Sequence, residues 1–583
     1  MSLQWPDWIV IGVYLCAMLA IGLWAMRQIH DPGGFLLGRR KMGRLMMIAA
    51  QFGAGTSAND PVVVASQCYR SGVSGIWVSL SYLFITPIFW VMPPAYRRLR
   101  MVTMVDFIRM RYGREMEIFY NVLQTIVAML GIGAGIKAAG LTIYVMSGGG
   151  ISEVVAQLII TALILGYALP GGVVAAFATD IVQSVLIVLL SFILLPFAAN
   201  ELGGFSVVYE KVPEGMFRIF SEGDITPTWV FWFVAGSIFA IMSESRQAAH
   251  GAARNEIAAR CGALGMLMKR VCAVGWMMAG IFAIAIYGSG LEHADEAFPR
   301  LCQDVLPWGL RGLMLASILA AVMSTADAGM VFGTSILLNN IYREFFVPKA
   351  SARHYLRIAR IGGAIMVIVG WLMAMQVQNL VSFIIKAGSI STVVGLPIGC
   401  AIFWRRGTRL GAIAGVLVMA PLFFYGTQYQ TMPEAIQLAW LSQYAGESGN
   451  LPLTVWTPLY MLPGLLAFVS VSLVTRQHDE ESVRAFYARL DTPVGEEERL
   501  REQGIEVDLL ERLDGHAISI DQRDHDVSQR LLLVDLLSFP KRILTGEGKL
   551  SDYRWDFYGL AIVGAFAVVI VGVVIAFGMG GGG

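Results

Sequence analysis

Charge is what this sequence has least of. Only 15% of its 583 residues are Asp, Glu, Lys or Arg, whereas 56% are hydrophobic. The mean hydropathy of +0.63 is well above what a water-solvated surface allows. A soluble globular protein is thereby excluded, and no nucleic-acid partner is expected.

Cysteine and histidine are also scarce. The six cysteines (Cys16, Cys68, Cys261, Cys272, Cys302, Cys400) show no CxxC spacing. Most sit in or beside apolar runs, where cysteine packs as a small hydrophobe. Cys68 and Cys302 both fall near the predicted outer face and are the pair whose positions would permit a bridge. The seven histidines have no metal-ligand spacing. Phosphate loops are missing too. GEGKLS near residue 546 places Leu550 after Lys549, where Ser or Thr is required, and GIGAGIKAAG follows no strand. These absences argue against an ATP-driven pump and against enzyme catalysis.

Long apolar runs are what the chain does have. Stretches of about 20 residues, enough to span roughly 30 Å of hydrocarbon as helix, fall near 8–26, 43–68, 73–96, 117–146, 151–169, 173–198, 227–246, 264–288, 308–338, 358–376, 380–404, 409–427, 453–475 and 556–578. That predicts an all-α polytopic membrane protein with about fourteen spans. A transmembrane barrel would need short alternating strands instead. The first run lacks a cleavage-site pattern and is followed by basic residues, so it is expected to be retained rather than removed as a signal peptide.

Basic residues cluster in every second loop: Arg27, Arg39, Arg40 and Lys41; Arg97, Arg98, Arg100, Arg109 and Arg111; Arg246, Arg254 and Arg260; Arg343, Lys349, Arg353 and Arg357; Arg405, Arg406 and Arg409. Those loops are predicted to face the cytoplasm, and with an even number of spans both termini lie outside a plasma or inner membrane. Loops are short except at 476–555, a charged cytoplasmic segment whose leucine spacing suggests amphipathic helices lying on the membrane or the bundle. The expected division is a transporter bundle over 1–475, the charged segment over 476–555, and a last span with a Gly-rich tail over 556–583.

Three spans carry polar patches. GAGTSANDP, residues 53–61, interrupts the second span with two glycines, hydroxyls, an amide, an acid and a proline. Such a break frees carbonyls and amides that hydrocarbon does not tolerate, and transporters use these ends to hold cations and solutes. A kink for close helix packing is the alternative, but Asp60 inside a span is costly and points to function. The ninth span carries the second patch, LASILAAVMSTADAGM, where Ser324 and Thr325 are adjacent hydroxyls and Ala321 lies one turn earlier. Sodium, a hard cation, prefers several oxygens, and two hydroxyls with free carbonyls suit it. PGGVVAAFATDIVQS contributes Asp180, and Asp327 adds a further acid in the ninth span.

The ordered set GGFLLGRRKMG, GAGTSAND, GGVVAAFATDIVQ, AARNEIAAR, LAAVMSTADAG and CAIFWRRGT, over about 8–475, resembles the sodium:solute symporter family. The resemblance implies the LeuT-type fold, two inverted five-helix repeats near 43–198 and 227–404, and sodium-coupled uptake by alternating access. It implies co-transported sodium held by carbonyls matching Gly53, Thr56 and Ala321 and hydroxyls matching Ser324 and Thr325. In some members an acid matching Asp180 builds a second sodium site with hydroxyls just beyond the main pair. Those positions are Asp327 and Ala328 here, so Asp180 and Asp327 form a candidate second cation site that holds sodium or shares a proton.

The sugar-transporting members place a glutamine where Asp60 stands and an aromatic gate in the seventh span, which reads FVAGSIFAIMSES here. A sugar is disfavoured. Lys137 in the fourth span and Lys386 in the eleventh are candidate cations for a solute carboxylate, with Asn59 and Asp60 at the solute's other end. An internal Asp60 to Lys137 pair, or snorkelling of Lys386, are the structural alternatives. The expected solute is a small organic acid or amino acid. Competing readings are a neutral-solute symporter, a channel, and a sensor that keeps this fold and signals through 476–555.

Overall fold

A computed structural model of the chain describes residues 3–26, 40–101, 103–347, 349–445, 449–505 and 528–580. The basic positions Arg27 and Arg39, the run 506–527 and the last glycines lie outside them. Among the described residues the architecture is helical. Ten helical stretches are long and apolar enough to cross a membrane, or eleven if Pro227–Ser243 and Arg246–Ala252 count as one bent span; Trp5–Ile21 and Glu153–Gly166 are shorter apolar helices.

The helices that matter here are α1 (Trp5–Met26), α2 (Arg44–Gly55), α3 (Asn59–Ser71), α4 (Met104–Tyr112), α5 (Arg114–Met146), α6 (Glu153–Leu202), α7 (Pro227–Ser243), α8 (Glu256–Tyr287), α9 (Leu310–Ser335), α10 (Ala352–Ala374), α11 (Leu380–Phe403), α12 (Arg409–Thr427), α13 (Leu453–Val474), α14 (Glu480–Asp491) and α15 (Arg554–Met579). Each expected apolar run falls on helix, but the runs divide differently. The expected spans 43–68 and 73–96 become the 12-residue α2 and one stretch, Asn59–Leu99. The expected spans 151–169 and 173–198 are joined in the 50-residue α6. Pro170 lies within this helix, and membrane helices tolerate proline where neighbours satisfy the freed carbonyl.

Two helices are broken, one in each expected repeat. α2 stops at Gly55, with Thr56 extended, and α3 resumes at Asn59. α7 stops at Ser243, and a tighter helical turn over Ser245–Ala252 follows. The residues just before the first broken helix are pinned to the turn that follows the second break. The Met42 N–H donates to Ala252 O at 3.1 Å, and the Arg254 N–H donates to Met42 O at 2.9 Å.

Glycines let α8 lie directly on the first broken helix. A Cβ on Gly265 would fall on the Ile48 carbonyl of α2, and one on Gly280 would lie 2.6 Å from the Ala65 carbonyl of α3. α11 holds the second broken helix, with the Thr392 hydroxyl donating to Gly236 O at 3.0 Å and the Ser243 hydroxyl to Ser391 O at 3.0 Å. α1 is fixed to the start of α9 by Asp7, which is fully buried and accepts from the Gly309 and Gly312 N–H groups at 2.7 and 2.9 Å. An acid at a helix N-terminus meets both free donors and the positive end of the helix dipole. Cys68 and Cys302 are both buried and free.

Candidate functional site

The break in the first helix follows from its residues. Two glycines, a β-branched Thr56 and the local hydrogen-bonders Ser57 and Asn59 all disfavour helix interior. Pro61 falls in the first turn of α3, where no intrahelical donor is needed. The Asp60 carboxylate folds back to accept from the Ser57 N–H at 2.7 Å. The carbonyls at the break are thus left to be met by side chains from elsewhere, and Lys269 of α8 and Thr325 of α9 supply the donors.

The first cluster forms where α2, α6 and α9 meet. Thr325 Oγ1 donates to the Thr56 carbonyl at 3.3 Å, and Ser324 Oγ donates to Asp180 Oδ1. Gly53 faces both: a Cβ there would lie 2.5 Å from Ser324 Oγ and 2.6 Å from Asp180 Oδ1. Ser324 and Thr56 are fully buried, as are Asp180 and Ala321 nearly so. Ala321 lines a void of about 20 Å³ together with Thr56, Ser57 and Ser317, room for about one water-sized group. The hydroxyls of Thr56 and Ser57 have no hydrogen-bond partner among the described residues. A hydroxyl that donates to a carboxylate or carbonyl keeps lone pairs for a cation, so the cluster offers hard oxygen ligands with the Asp180 carboxyl group close by.

The five residues expected for sodium are therefore brought together. Asp180 joins them through Ser324. Asp327 is buried within electrostatic reach of Asp180 and of Tyr14, whose hydroxyl accepts from the Gln183 amide at 3.2 Å. Replacing Gly53 by alanine is expected to push Ser324 Oγ and the Asp180 carboxylate out of register. Half-saturating sodium should rise at least about tenfold, the loss of roughly one good polar contact, while the yield of protein in the membrane stays unchanged. Sodium titration of uptake checks this.

The second feature is a cavity of about 310 Å³ bounded by both helix breaks, the lower end of the range for small-molecule sites. Asn59 and Asp60 line it from the first break, Glu244 and Arg246 from the second, and Lys269 and Arg270 from α8. Lys269 Nζ donates to the Gly55 carbonyl and pairs with Asp60 Oδ2 at 2.8 Å. Arg246 pairs with Glu244. Arg270 donates to the Ser79 carbonyl and, at 3.0 Å, to its hydroxyl, and lies 5.2 Å over the Tyr82 ring. Thr325 lines the cavity as well, so the two features share a wall.

Asn59 and Asp60 are where the sequence places them. Lys137 and Lys386 are not. Lys137 pairs with Glu153 at the start of α6 at 2.6 Å, and Glu153 also accepts from the Gln157 amide. On α11, Ile385 and Ala387 line the cavity and Lys386 between them does not. The helical rotation of about 100° per residue turns it away. The cations at the cavity are Lys269, Arg270 and Arg246, and the first two had a signal. MLMKRVCAVGW sets two adjacent basic residues inside an apolar run, where a charge marks a site, but their place near the predicted end of the span reads as a boundary flank.

The sodium:solute symporter family model matches residues 35–418. Solute carrier family 5 member 4B of Mus musculus is 26% identical over 481 residues, 72% of each chain. Sodium/glucose cotransporter 1 of Oryctolagus cuniculus is 26% identical over 485 residues, again 72% of each. The sodium/proline symporter of Haemophilus influenzae is 23% identical over 523 residues, 82% of this chain and 97% of that protein. Among solved structures, the substrate-bound outward-open state of a Na+-coupled sialic acid symporter matches with a TM-score of 0.67 at 16% identity, over 82% of this chain and 99% of that one. The fold is thus LeuT-like.

Proposed function

The chain belongs to the sodium:solute symporter family, and on that premise we propose that this multi-pass, sodium-coupled solute symporter imports a small carboxylate-bearing or zwitterionic solute, an organic acid or an amino acid, by alternating access. It is a transporter and not an enzyme. Sodium is assigned to the carbonyls of Gly53, Thr56 and Ala321 and the hydroxyls of Ser324 and Thr325. The basic loops support a cytoplasmic segment 476–555 and both termini outside.

The charge balance of the cavity carries the solute assignment. Lys269, Arg246 and Arg270 face it against Asp60 and Glu244. Two cations are paired with those acids, and Arg270, on a carbonyl, a hydroxyl and a ring, is not ion-paired among the described residues. A desolvated guanidinium without a counter-charge is costly, and its planar fork suits a carboxylate in two-point contact. Asp60 and Asn59 stand ready for an ammonium or hydroxyl at the solute's other end. The relatives' names include glucose and proline, so kinship leaves the class open, and the cationic surplus favours the second kind.

Uptake into sodium-loaded-outside proteoliposomes, challenged with amino acids, mono- and dicarboxylates and sugars, is expected to show competition by carboxylates. Arg270→Gln should raise KM for the best of them at least about tenfold. Competition by sugars alone overturns the assignment.

A further inference from the structure

The stretch preceding the last spanning helix is held against that helix's first turn. The Tyr553 hydroxyl donates to Asp535 at 2.7 Å, and the Leu532 N–H donates to Asp556 at 2.9 Å. The Phe539 ring packs 5.2 Å from that of Tyr553 and 6.0 Å from that of Phe557. Arg542 and Arg530 close on Asp535 from either side, at 3.3 and 3.5 Å. Residues 528–553 are therefore fixed at the level where α15 enters the bilayer. α15 itself is mostly uncovered by protein, and Trp555 and Tyr558 at its start are residues typical of the membrane–water boundary.

At this level the stretch turns large apolar side chains outward. Leu531, Leu533 and Val534 are buried against the protein, but Leu537, Leu544 and Leu550 are 61%, 87% and 60% exposed, and Leu536 is 46% exposed. Lys541 and Lys549 are exposed among them. Apolar side chains interleaved with lysine, beside a spanning helix, have lipid as their nearest uncovered neighbour, and this composition is what interfacial segments use.

We propose that residues 536–550 are an interfacial anchor. Leu536, Leu537, Leu544 and Leu550 sit at the acyl–headgroup boundary of the leaflet through which α15 enters, and Lys541 and Lys549 sit on anionic phospholipid headgroups. The anchor is coupled to the bundle, because Arg98 donates to the Ser528 carbonyl at 2.6 Å just before it.

A nitroxide at Leu544→Cys, in full-length protein with Cys16→Ser and Cys261→Ser and reconstituted in phosphatidylcholine with phosphatidylglycerol, reads the contact directly. The label is expected to be relaxed by membrane-soluble oxygen and shielded from a water-soluble nickel chelate, at least about fivefold more than a label at the exposed Glu502→Cys. Equal access of the chelate at both positions overturns the proposal. So does shielding from both reagents, which means that protein and not lipid covers the leucines. Lys541→Gln with Lys549→Gln should reduce the shielding in the mixed vesicles and leave it unchanged in phosphatidylcholine alone. The same shielding in both lipid mixtures, before and after substitution, overturns the headgroup assignment.

Discussion

Replacing Ser324 and Thr325 together by alanine is expected to raise the sodium concentration for half-maximal uptake by at least about thirtyfold, with little loss of folded protein. The two hydroxyls do different work. Ser324 is held on Asp180 and faces Gly53, and Thr325 reaches from α9 to the Thr56 carbonyl at the end of α2. Together they are the contacts that close α9 on the broken helix, and they add two neutral oxygens to the carbonyls released by the break. Losing one buried polar partner costs about 1–3 kcal/mol, or roughly a factor of 5 to 150. Two such losses at one ion should show mainly in sodium dependence. Ser324→Ala leaves the Asp180 carboxylate without its donor, and so should cost more than Thr325→Ala. Thr325→Ser keeps the oxygen and should behave close to the parent. Substrate-dependent uptake of radioactive sodium into proteoliposomes, beside a thermal-unfolding control, checks this. If neither alanine variant changes sodium dependence, the ion is not held there.

This cluster was legible in the sequence because its signals are local. GAGTSAND announces a broken helix by propensity alone, and Ser324 and Thr325 stand out against an apolar run. That Asp180 closes on Ser324 was not legible, because 144 residues separate the two and only the crossing of α6 and α9 brings them together. The cavity cations failed for a different reason. Lys137 had the stronger local signal, flanked by small residues in the middle of a span, yet rotation about α5 carries it to Glu153. Lys269 and Arg270 sit on the face of α8 that glycines press onto the broken helix, and that face is set by packing against α2 and α3 rather than by spacing within α8. The number of helices was readable to within a few. Where they end was not, since Pro170 does not interrupt α6.

The second large effect should come from Arg98. Its guanidinium is 1% exposed and binds the Glu256 carboxylate at 2.9 and 3.2 Å. It also donates to the Leu490 and Ser528 carbonyls at 3.1 and 2.6 Å, joining α14 and the stretch that leads to the anchor to the bundle. Glu256 in turn accepts from the Val494 N–H at 3.1 Å, and beside it Arg100 reaches Glu497 at 2.9 Å. Arg98→Met leaves the buried Glu256 carboxylate without its cation and the Leu490, Ser528 and Gln529 carbonyls without this donor, a loss of about 3–5 kcal/mol by comparison with other broken buried pairs. Glu256→Gln leaves the guanidinium uncompensated and should cost a similar amount. The double substitution Arg98→Met with Glu256→Leu removes both charges, and replacing a whole buried pair with apolar side chains is often close to neutral. It should therefore be more stable than either single variant by at least about 2 kcal/mol, a coupling that independent sites do not show. Unfolding midpoints of the purified protein in one detergent measure it. If instead the effects of the two substitutions simply add, the pair is not what fastens α14, and the contacts of Tyr487 with the Ala401 carbonyl and of Phe486 with Phe107 must carry that attachment.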